Sequence, residues 1–241
     1  MRLMISVISA EEAREAMLGG AEILDVKNPA EGSLGAHSPR VIREIRSLAP
    51  GSIEVSAAIG DMPNLPGTAA LAALGAATCG VDYVKVGLHG PRNEMEAVAL
   101  LREVRLAVHG FGTQIIAAGY ADFQRAGTLN PECLPRVAAS AGVKGCLLDT
   151  AVKDGRTLLD FLKPETLRIL IEQAHSTGLM FALAGALQEP DLPVVRDLDV
   201  DIVGIRTAAC HNNQRNGPLD AARVRRLHQL FDDLRNCPVT D

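Results

Sequence analysis

Residues 83–108, YVKVGLHGPRNEMEAVALLREVRLAV, decide the fold class, because a strand signal and a helix signal follow each other within them. The first four residues form a short β-type run with one lysine in it. A helical stripe follows, with apolar residues three or four apart at Met95, Val98, Leu101, Val104 and Val108. The spacing predicts one strand followed by one amphipathic helix.

The same alternation continues along the whole chain. Eight β-type runs are predicted, at 3–7, 22–26, 53–58, 83–86, 114–118, 145–148, 180–183 and 201–205. Runs that are apolar almost throughout are typical of a parallel sheet covered on both faces. Eight such units in 241 residues predict an α/β fold, a single (β/α)8 TIM barrel over residues 1–235 with a frayed tail at 236–241. A doubly wound open sheet is the main alternative, although the turn after its first run lacks the expected glycines.

Composition narrows the class of ligand. The formal net charge is −5, tryptophan is absent and aromatic residues make up 3% of the chain. An acidic chain with so few aromatic side chains offers neither a general basic surface nor a stacking platform for nucleic acid. A local basic pocket for a phosphorylated metabolite remains compatible with this charge.

The cysteine pattern indicates a reducing compartment. The five cysteines are scattered and contain no C-x-x-C pair, at Cys79, Cys133, Cys146, Cys210 and Cys237. We therefore expect free thiols and a cytoplasmic protein. Apolar runs are too short for a signal sequence or a membrane span, so no membrane association is expected. The histidines lack metal-ligand spacing, and we expect neither a metal nor a cofactor.

Ionisable residues gather where strands end. Asp25 and Lys27 close the second run, Lys85 lies in the fourth, and Asp149 and Lys153 follow the sixth. In a TIM barrel these positions meet at one rim, where active sites form. A lysine there loses hydration and must be paired with an anion or held neutral, and a neutral amine is a nucleophile. Surface lysines and structural ion pairs are the alternative interpretation.

Spacing adds a constraint to the second run. Asp25 and Lys27 are two residues apart, so in an extended strand both side chains point to the same face and can pair with each other. Tyr83 and Lys85 share a face for the same reason.

Phosphate-binding signals lie near the end of the chain. Gly185 follows the seventh run, Gly204 lies in the eighth, and Arg206 follows it. The loops after strands seven and eight are the usual phosphate site of a TIM barrel. Glycine lets backbone N–H groups approach an anion, and arginine can hold one with two hydrogen bonds. Turns also need glycine for purely conformational reasons.

The loop after the second run is a further candidate for anion binding. Residues 28–40 are rich in glycine, proline and small polar residues, and they exceed the usual length of such a loop. His37 and Arg40 lie near the start of the next predicted helix, where they can meet an anion. A loop histidine without a catalytic role is the alternative for His37.

Three segments resemble a known family. They are residues 24–36 (LDVKNPAEGSLGA), 83–88 (YVKVGL) and 148–155 (LDTAVKDG), and the similarity to (5-formylfuran-3-yl)methyl phosphate synthase extends over essentially the whole chain. The resemblance implies a TIM-barrel lyase of methanofuran biosynthesis that joins two glyceraldehyde 3-phosphate molecules, with loss of phosphate and water. It further implies that Lys27 forms a Schiff base, that Lys85 accepts a proton, and that Asp25, Asp149 and Lys153 are further catalytic groups.

Two other functions fit the same residues. A class I aldolase acting on phosphosugars also uses a barrel lysine and a terminal phosphate site, and a non-catalytic barrel that binds a phosphometabolite needs only the latter. In each case the expected partner is a small phosphosugar rather than a nucleic acid or a membrane. We further expect a homo-oligomer.

Overall fold

The strands of the computed structural model, which describes residues 1–236, close into a barrel. The eight strands are β1 (Arg2–Val7), β2 (Ile23–Val26), β3 (Glu54–Met62), β4 (Tyr83–Leu88), β5 (Gln114–Tyr120), β6 (Gly145–Asp149), β7 (Met180–Leu183) and β8 (Ile202–Ile205). Each is parallel to its neighbours, in chain order, and β8 pairs with β1. The predicted TIM barrel is confirmed, and the open sheet is excluded.

Helices connect successive strands on the outside of the barrel. They are α1 (Ala10–Leu18), α2 (Pro39–Leu48), α3 (Pro66–Ala77), α4 (Glu94–Ala107), α5 (Phe123–Ala126), α6 (Leu134–Ala141), α7 (Pro164–Ser176), α8 (Leu192–Arg196) and α9 (Ala221–Asn236). The predicted tail at 236–241 lies outside the described residues except for its first residue, which ends α9. Over residues 1–236, no helix combines the length and the apolar character needed to cross a bilayer.

Local signals explain where the helices start. Ser9 and Asn93 each accept a hydrogen bond from the backbone N–H three residues later, at the first turns of α1 and α4. Proline occupies the first position of α2, α3 and α7, where its missing N–H has no helical partner in any case. These signals set the point at which the chain leaves each strand end and turns back along the barrel.

Alternation along each strand separates two apolar layers. Leu24 and Val26 belong to the core between strands and helices, whereas Ile23 belongs to a second cluster inside the barrel. Because Asp25 has the same parity as Ile23, it also points inward. Inward residues nearer the strand ends include Ala58, Ala118 and Ala184, which are small. The sequence thus leaves room inside this end of the barrel for long polar side chains.

Candidate active site

Four ionisable side chains are buried inside the barrel at the carboxyl ends of the strands. The exposed fractions are 0% for Asp25, 4% for Lys27, 3% for Lys85 and 1% for Asp149. Lys153 joins them from the loop after β6, through an ion pair with Asp149. All five residues expected at one rim therefore meet there. Charges buried this deeply must compensate one another or lose their charge.

Lys85 is paired with Asp25. Its Nζ lies 2.5 Å from Oδ1 of Asp25. The Ser6 hydroxyl donates a hydrogen bond of 3.0 Å to the other carboxylate oxygen of Asp25. Tyr83 and Lys85 line the same inner cavity, as their spacing predicts. The expected pairing of Asp25 with Lys27 is wrong, because Asp25 reaches across β3 to β4 instead.

Lys27 forms a longer ion pair than Lys85 does. Its Nζ is 3.8 Å from Oδ2 of Asp149. Burial lowers the pKa of the Lys27 amine to about 7, and the positive charges of Lys85 and Lys153 act in the same direction, while Asp149 and Asp25 oppose them. A substantial fraction of this amine is therefore neutral, and nucleophilic, at neutral pH.

Asp149 is the carboxylate that pairs with Lys27 and Lys153. Burial opposes its ionisation, but the ammonium groups of Lys153 and Lys27 outweigh burial and hold the pKa of this carboxyl well below its usual range. The backbone N–H of Thr150 donates to Oδ1 of Asp149 at 2.8 Å, and Lys153 also donates to the Thr150 hydroxyl at 3.0 Å. Burial lowers the pKa of Lys153 as well, against the pull of Asp149. Asp149 is therefore a permanent carboxylate around pH 7.

The loop between β2 and α2 covers the site. Leu34 is fully buried and packs into the cluster inside the barrel. Ser33 donates through its hydroxyl to the Thr150 carbonyl at 2.7 Å, which joins this loop to the one after β6. The carboxylate of Asp61 accepts hydrogen bonds from the backbone N–H groups of Ser33 and Leu34, at 2.9 and 3.3 Å. It also accepts a hydrogen bond from the Tyr120 hydroxyl. Burial, followed by the charge of Asp61, raises the pKa of Tyr120 well above its usual value, so this hydroxyl stays a donor.

A second carboxylate holds the loop that carries Lys153. Asp122 is buried, and its two oxygens accept the backbone N–H groups of Ala151 and Val152 at 2.6 and 2.9 Å. These bonds fix the backbone just before Lys153. Asp61, Tyr120 and Asp122 were not found from the sequence, although each lies at or just beyond a strand end, where the rule used for the lysines applies.

Arg206 is already fully bonded within the protein. Its guanidinium donates to both carboxylate oxygens of Glu12, at 2.5 and 3.1 Å, and to the carbonyls of Ser6, Arg215 and Gly217. Five N–H groups and five acceptors leave no donor for a ligand. The prediction that Arg206 binds a phosphate directly is therefore not supported by this geometry.

The two predicted glycines do lie at the site. Gly185 and Gly204 line a narrow cavity together with Lys27, Asp149 and Lys153. Gly185 has a φ of +95°, and an added Cβ would lie 3.2 Å from side-chain atoms of Leu158 and Thr150. Only glycine combines that backbone conformation with such close packing.

The other predicted anion-binding residues lie elsewhere. The Arg40 side chain is 82% exposed and lies 3.9 Å from Glu44 on the same helix. His37 accepts a hydrogen bond of 2.9 Å from the backbone N–H of Ser38 through Nδ1, and it is not part of the cavity lining around Lys27. His37 is half-buried, and Ser38 beside it is exposed. Over residues 1–236, no group of three His, Cys, Asp or Glu side chains has a metal-binding arrangement.

Arg215 is the functional candidate that sequence reasoning missed. It lies in the loop between β8 and α9 and lines the cavity that also contains Lys27, Asp149 and Lys153. Its only sequence signal is its place in a polar loop after the last strand, and such a loop carries no marker for the direction of one side chain.

Comparisons with known proteins identify the family. A family model described as 4-HFC-P synthase matches residues 3–228. The (5-formylfuran-3-yl)methyl phosphate synthase of Methanopyrus kandleri is 52% identical over 95% of this chain and 98% of its own length. The enzyme of the same name from Methanocaldococcus jannaschii is 47% identical over 95% of this chain and 99% of its own.

Solved structures share the fold at low identity. Phosphoribosyl anthranilate isomerase from Thermus thermophilus superposes with a TM-score of 0.61 at 19% identity, covering 98% of this chain and 100% of that one. KGPDC from Streptococcus mutans gives a TM-score of 0.65 at 13% identity and covers 98% of this chain and 99% of its own. At such identities the likeness concerns the barrel alone. The family match and the full-length relatives decide the family, and the chain belongs to the 4-HFC-P synthase family.

Proposed function

We propose that this protein forms (5-formylfuran-3-yl)methyl phosphate from two glyceraldehyde 3-phosphate molecules, through a Schiff base on Lys27, for biosynthesis of a methanofuran-type cofactor. The observation that carries the proposal is the Lys27 amine, buried inside the barrel with a pKa of about 7 between Asp149 and the Lys85–Asp25 pair. The full-length relatives that bear the name of this synthase support it.

The first half of the reaction uses Lys27 and Lys85. The neutral Lys27 amine adds to the aldehyde carbon of one substrate, and loss of water gives an iminium. The iminium acidifies the adjacent carbon, and Lys85 removes that proton. Asp25, 2.5 Å from Lys85, first takes a proton from the Lys85 ammonium within the ion pair, so that the amine is neutral when it removes the proton from carbon. The resulting enaminol expels phosphate from its third carbon and leaves a three-carbon enol on Lys27. The terminal carbon of this enol then attacks the middle carbon of the second substrate, which has first isomerised from aldehyde to ketone, and forms the new carbon–carbon bond.

The second half needs a proton donor for the groups that leave. Asp149 remains a carboxylate, because the neighbouring ammonium groups depress its pKa. We therefore assign the acid role to Lys153, which can protonate a departing hydroxyl or phosphate oxygen, and assign to Asp149 the role of holding Lys153 in place. Closure of the ring through oxygen and loss of water then give the aromatic furan, and hydrolysis of the imine frees Lys27 and leaves the formyl group.

Product analysis tests the proposal. Purified protein incubated with glyceraldehyde 3-phosphate is expected to release inorganic phosphate and a furan aldehyde phosphate in equal amounts, measured by a phosphate assay and mass spectrometry. A class I aldolase would form a sugar bisphosphate without phosphate release, and a binding protein would form neither. Either of those results would reject the proposed synthase activity.

Lys27→Arg is the matched variant for the Schiff base. Arginine retains the positive charge but does not form an imine under ordinary conditions, so product formation and borohydride trapping should fall below detection while the circular dichroism spectrum is retained. Lys144→Arg is the control, because Lys144 is exposed outside the site. Appreciable turnover by Lys27→Arg would exclude Lys27 as the covalent residue.

The cellular context belongs to the same proposal. Cys79, Cys133, Cys146 and Cys210 are free thiols, which supports a cytoplasmic location. Cys237 lies outside the described residues. The expectation of a homo-oligomer stays a prediction, which sedimentation of the purified protein tests.

A further inference from the structure

The loop between β8 and α9 brings the guanidinium of Arg215 to the cavity that Lys27 and Lys153 also line. Nη2 of Arg215 is buried, and among residues 1–236 it has no hydrogen-bond partner. Buried polar groups almost always have one, since an unpaired donor has lost its water without a replacement. Burial also lowers the pKa of Arg215, because the charged guanidinium has lost solvation. A ligand with acceptor oxygens would give Nη2 the hydrogen-bond partner that it lacks.

The charges around the cavity specify the sign of that ligand. Lys153 and Arg215 are cations of the cavity wall, and Asp149 is the carboxylate that faces them. Lys27 adds further positive charge whenever it is protonated. The wall therefore carries an excess of positive charge, so the ligand must be an anion with several acceptor oxygens.

Arg206 determines where Arg215 lies. Its Nε donates to the backbone carbonyl of Arg215 at 3.1 Å, and Nη2 donates to that of Gly217 at 3.4 Å. Glu12 on α1 holds the same guanidinium with two hydrogen bonds. Arg206 thus ties the backbone of the loop to the barrel on both sides of Asn216, with Arg215 on the cavity side.

We propose that Arg215 binds the phosphate of the glyceraldehyde 3-phosphate molecule held on Lys27, and that Arg206 is a positioning residue for it. The inference rests on the proposed function for the identity of the substrate. It differs from the prediction made from the sequence, in which Arg206, the arginine next to the last strand, binds the anion.

Glycerol 3-phosphate tests the phosphate contact apart from the chemistry. It carries the same phosphate but no carbonyl, so it cannot form an imine. Calorimetry is expected to show binding to the wild type and to Arg168→Ala, a control for an exposed arginine on α7, and binding at least tenfold weaker to Arg215→Ala. Equal binding by Arg215→Ala, or no binding by the wild type, would overturn the inference.

Borohydride trapping separates lost phosphate binding from damage to the site. With glyceraldehyde, which lacks the phosphate, Arg215→Ala should be trapped on Lys27 as fast as the wild type. With glyceraldehyde 3-phosphate it should need at least tenfold more substrate to reach the same rate. Equal loss with both aldehydes would mean that the variant disturbs Lys27 itself, and would overturn the assignment.

Arg206→Lys tests the positioning role. Lysine keeps the charge beside Glu12 but cannot reach all the carbonyls, so the KM for glyceraldehyde 3-phosphate should rise while trapping with glyceraldehyde is unchanged. An unchanged KM would refute this role. If the wild type binds glycerol 3-phosphate through Arg215 but makes no furan, the proposed function fails and the phosphate site stands.

Discussion

The Lys27 amine has a pKa of about 7 because it is buried near two other ammonium groups. Its neutral fraction rises with pH, is about one half near pH 7 and is nearly complete above about pH 8. The rate of borohydride trapping with glyceraldehyde 3-phosphate should therefore rise as pH increases from 5 to 7.5 and level off beyond, as measured by mass spectrometry of the adduct. A rate that climbs steadily to pH 10, as for an ordinary lysine, would contradict this pKa.

Lys85 is expected to act after imine formation. Lys85→Ala should still be trapped on Lys27 by borohydride but should make no furan aldehyde, because imine formation precedes removal of the proton. Removing the ammonium beside Lys27 also relieves like-charge repulsion, so the pKa of Lys27 should rise and the pH profile of trapping should shift upward. Complete loss of trapping in a folded variant, or product release at the wild-type rate, would refute this division of roles.

The residues of the candidate active site were predictable from the sequence, but the ion pairs between them were not. Lys27, Lys85 and Asp149 could be chosen because strand ends meet at one rim in a barrel. The partner of Asp25 depends on the small residues of the intervening β3, which let Lys85 reach it. The guanidinium of Arg206 donates to the carboxylate of Glu12, which lies far away in the sequence. Spacing along one strand contains no information about either contact.

The loop between β2 and α2 depends on Asp61. Its carboxylate accepts from two backbone N–H groups and from Tyr120, so Asp61→Asn would turn an amide N–H toward donors. We expect the free energy of unfolding to fall by about 1–3 kcal/mol in urea titrations. We also expect kcat to fall, because the loop over the site is held less firmly. Asp199→Asn is the control, since Asp199 is exposed with a φ of +56°, which asparagine accepts. Equal stability of the two variants would show that Asp61 does not hold the loop.

Strand β3 extends further than its sequence pattern predicts. The run predicted at 53–58 continues to Met62, past a register shift between Ala58 and Asp61. Gly60 lies within this shift at a φ of +120°. A glycine followed by an aspartate is typical of a turn, so the pattern predicts an end where the strand only bends. That bend brings Asp61 beneath the loop it holds.

The two ends of the molecule differ in what they contribute. At the amino ends of the strands, Glu54 pairs with Arg2 and accepts a hydrogen bond of 3.0 Å from Tyr83. Because this cluster lies opposite the site and is about one third exposed, Glu54→Gln should lower the unfolding free energy by only about 0.5 kcal/mol and leave kcat/KM unchanged. Urea unfolding measures the change in stability, and steady-state kinetics measures kcat/KM. The exposed Glu103→Gln is the control for both measurements. A fall in kcat/KM would contradict this separation of the two ends.

The fold as a whole was the most predictable feature. Each strand coincides with a predicted run, although β3 extends four residues beyond it, because parallel strands covered on both faces give apolar runs that sequence alone reveals. The family also follows from sequence motifs, and the family match confirms it. Loop directions, which decide that Arg215 rather than Arg40 reaches the cavity, depend on contacts between distant segments.

Leu34 fills the mouth of the barrel while Lys27 and Lys85 lie beneath it, almost without exposure. A reaction that joins two molecules at one such site must admit them one after the other, so the loop has to open while the first is inside. A substrate held only by hydrogen bonds would escape at that moment. In the proposed mechanism, the covalent bond to Lys27 keeps the first molecule in the site while the loop is open and the second molecule enters.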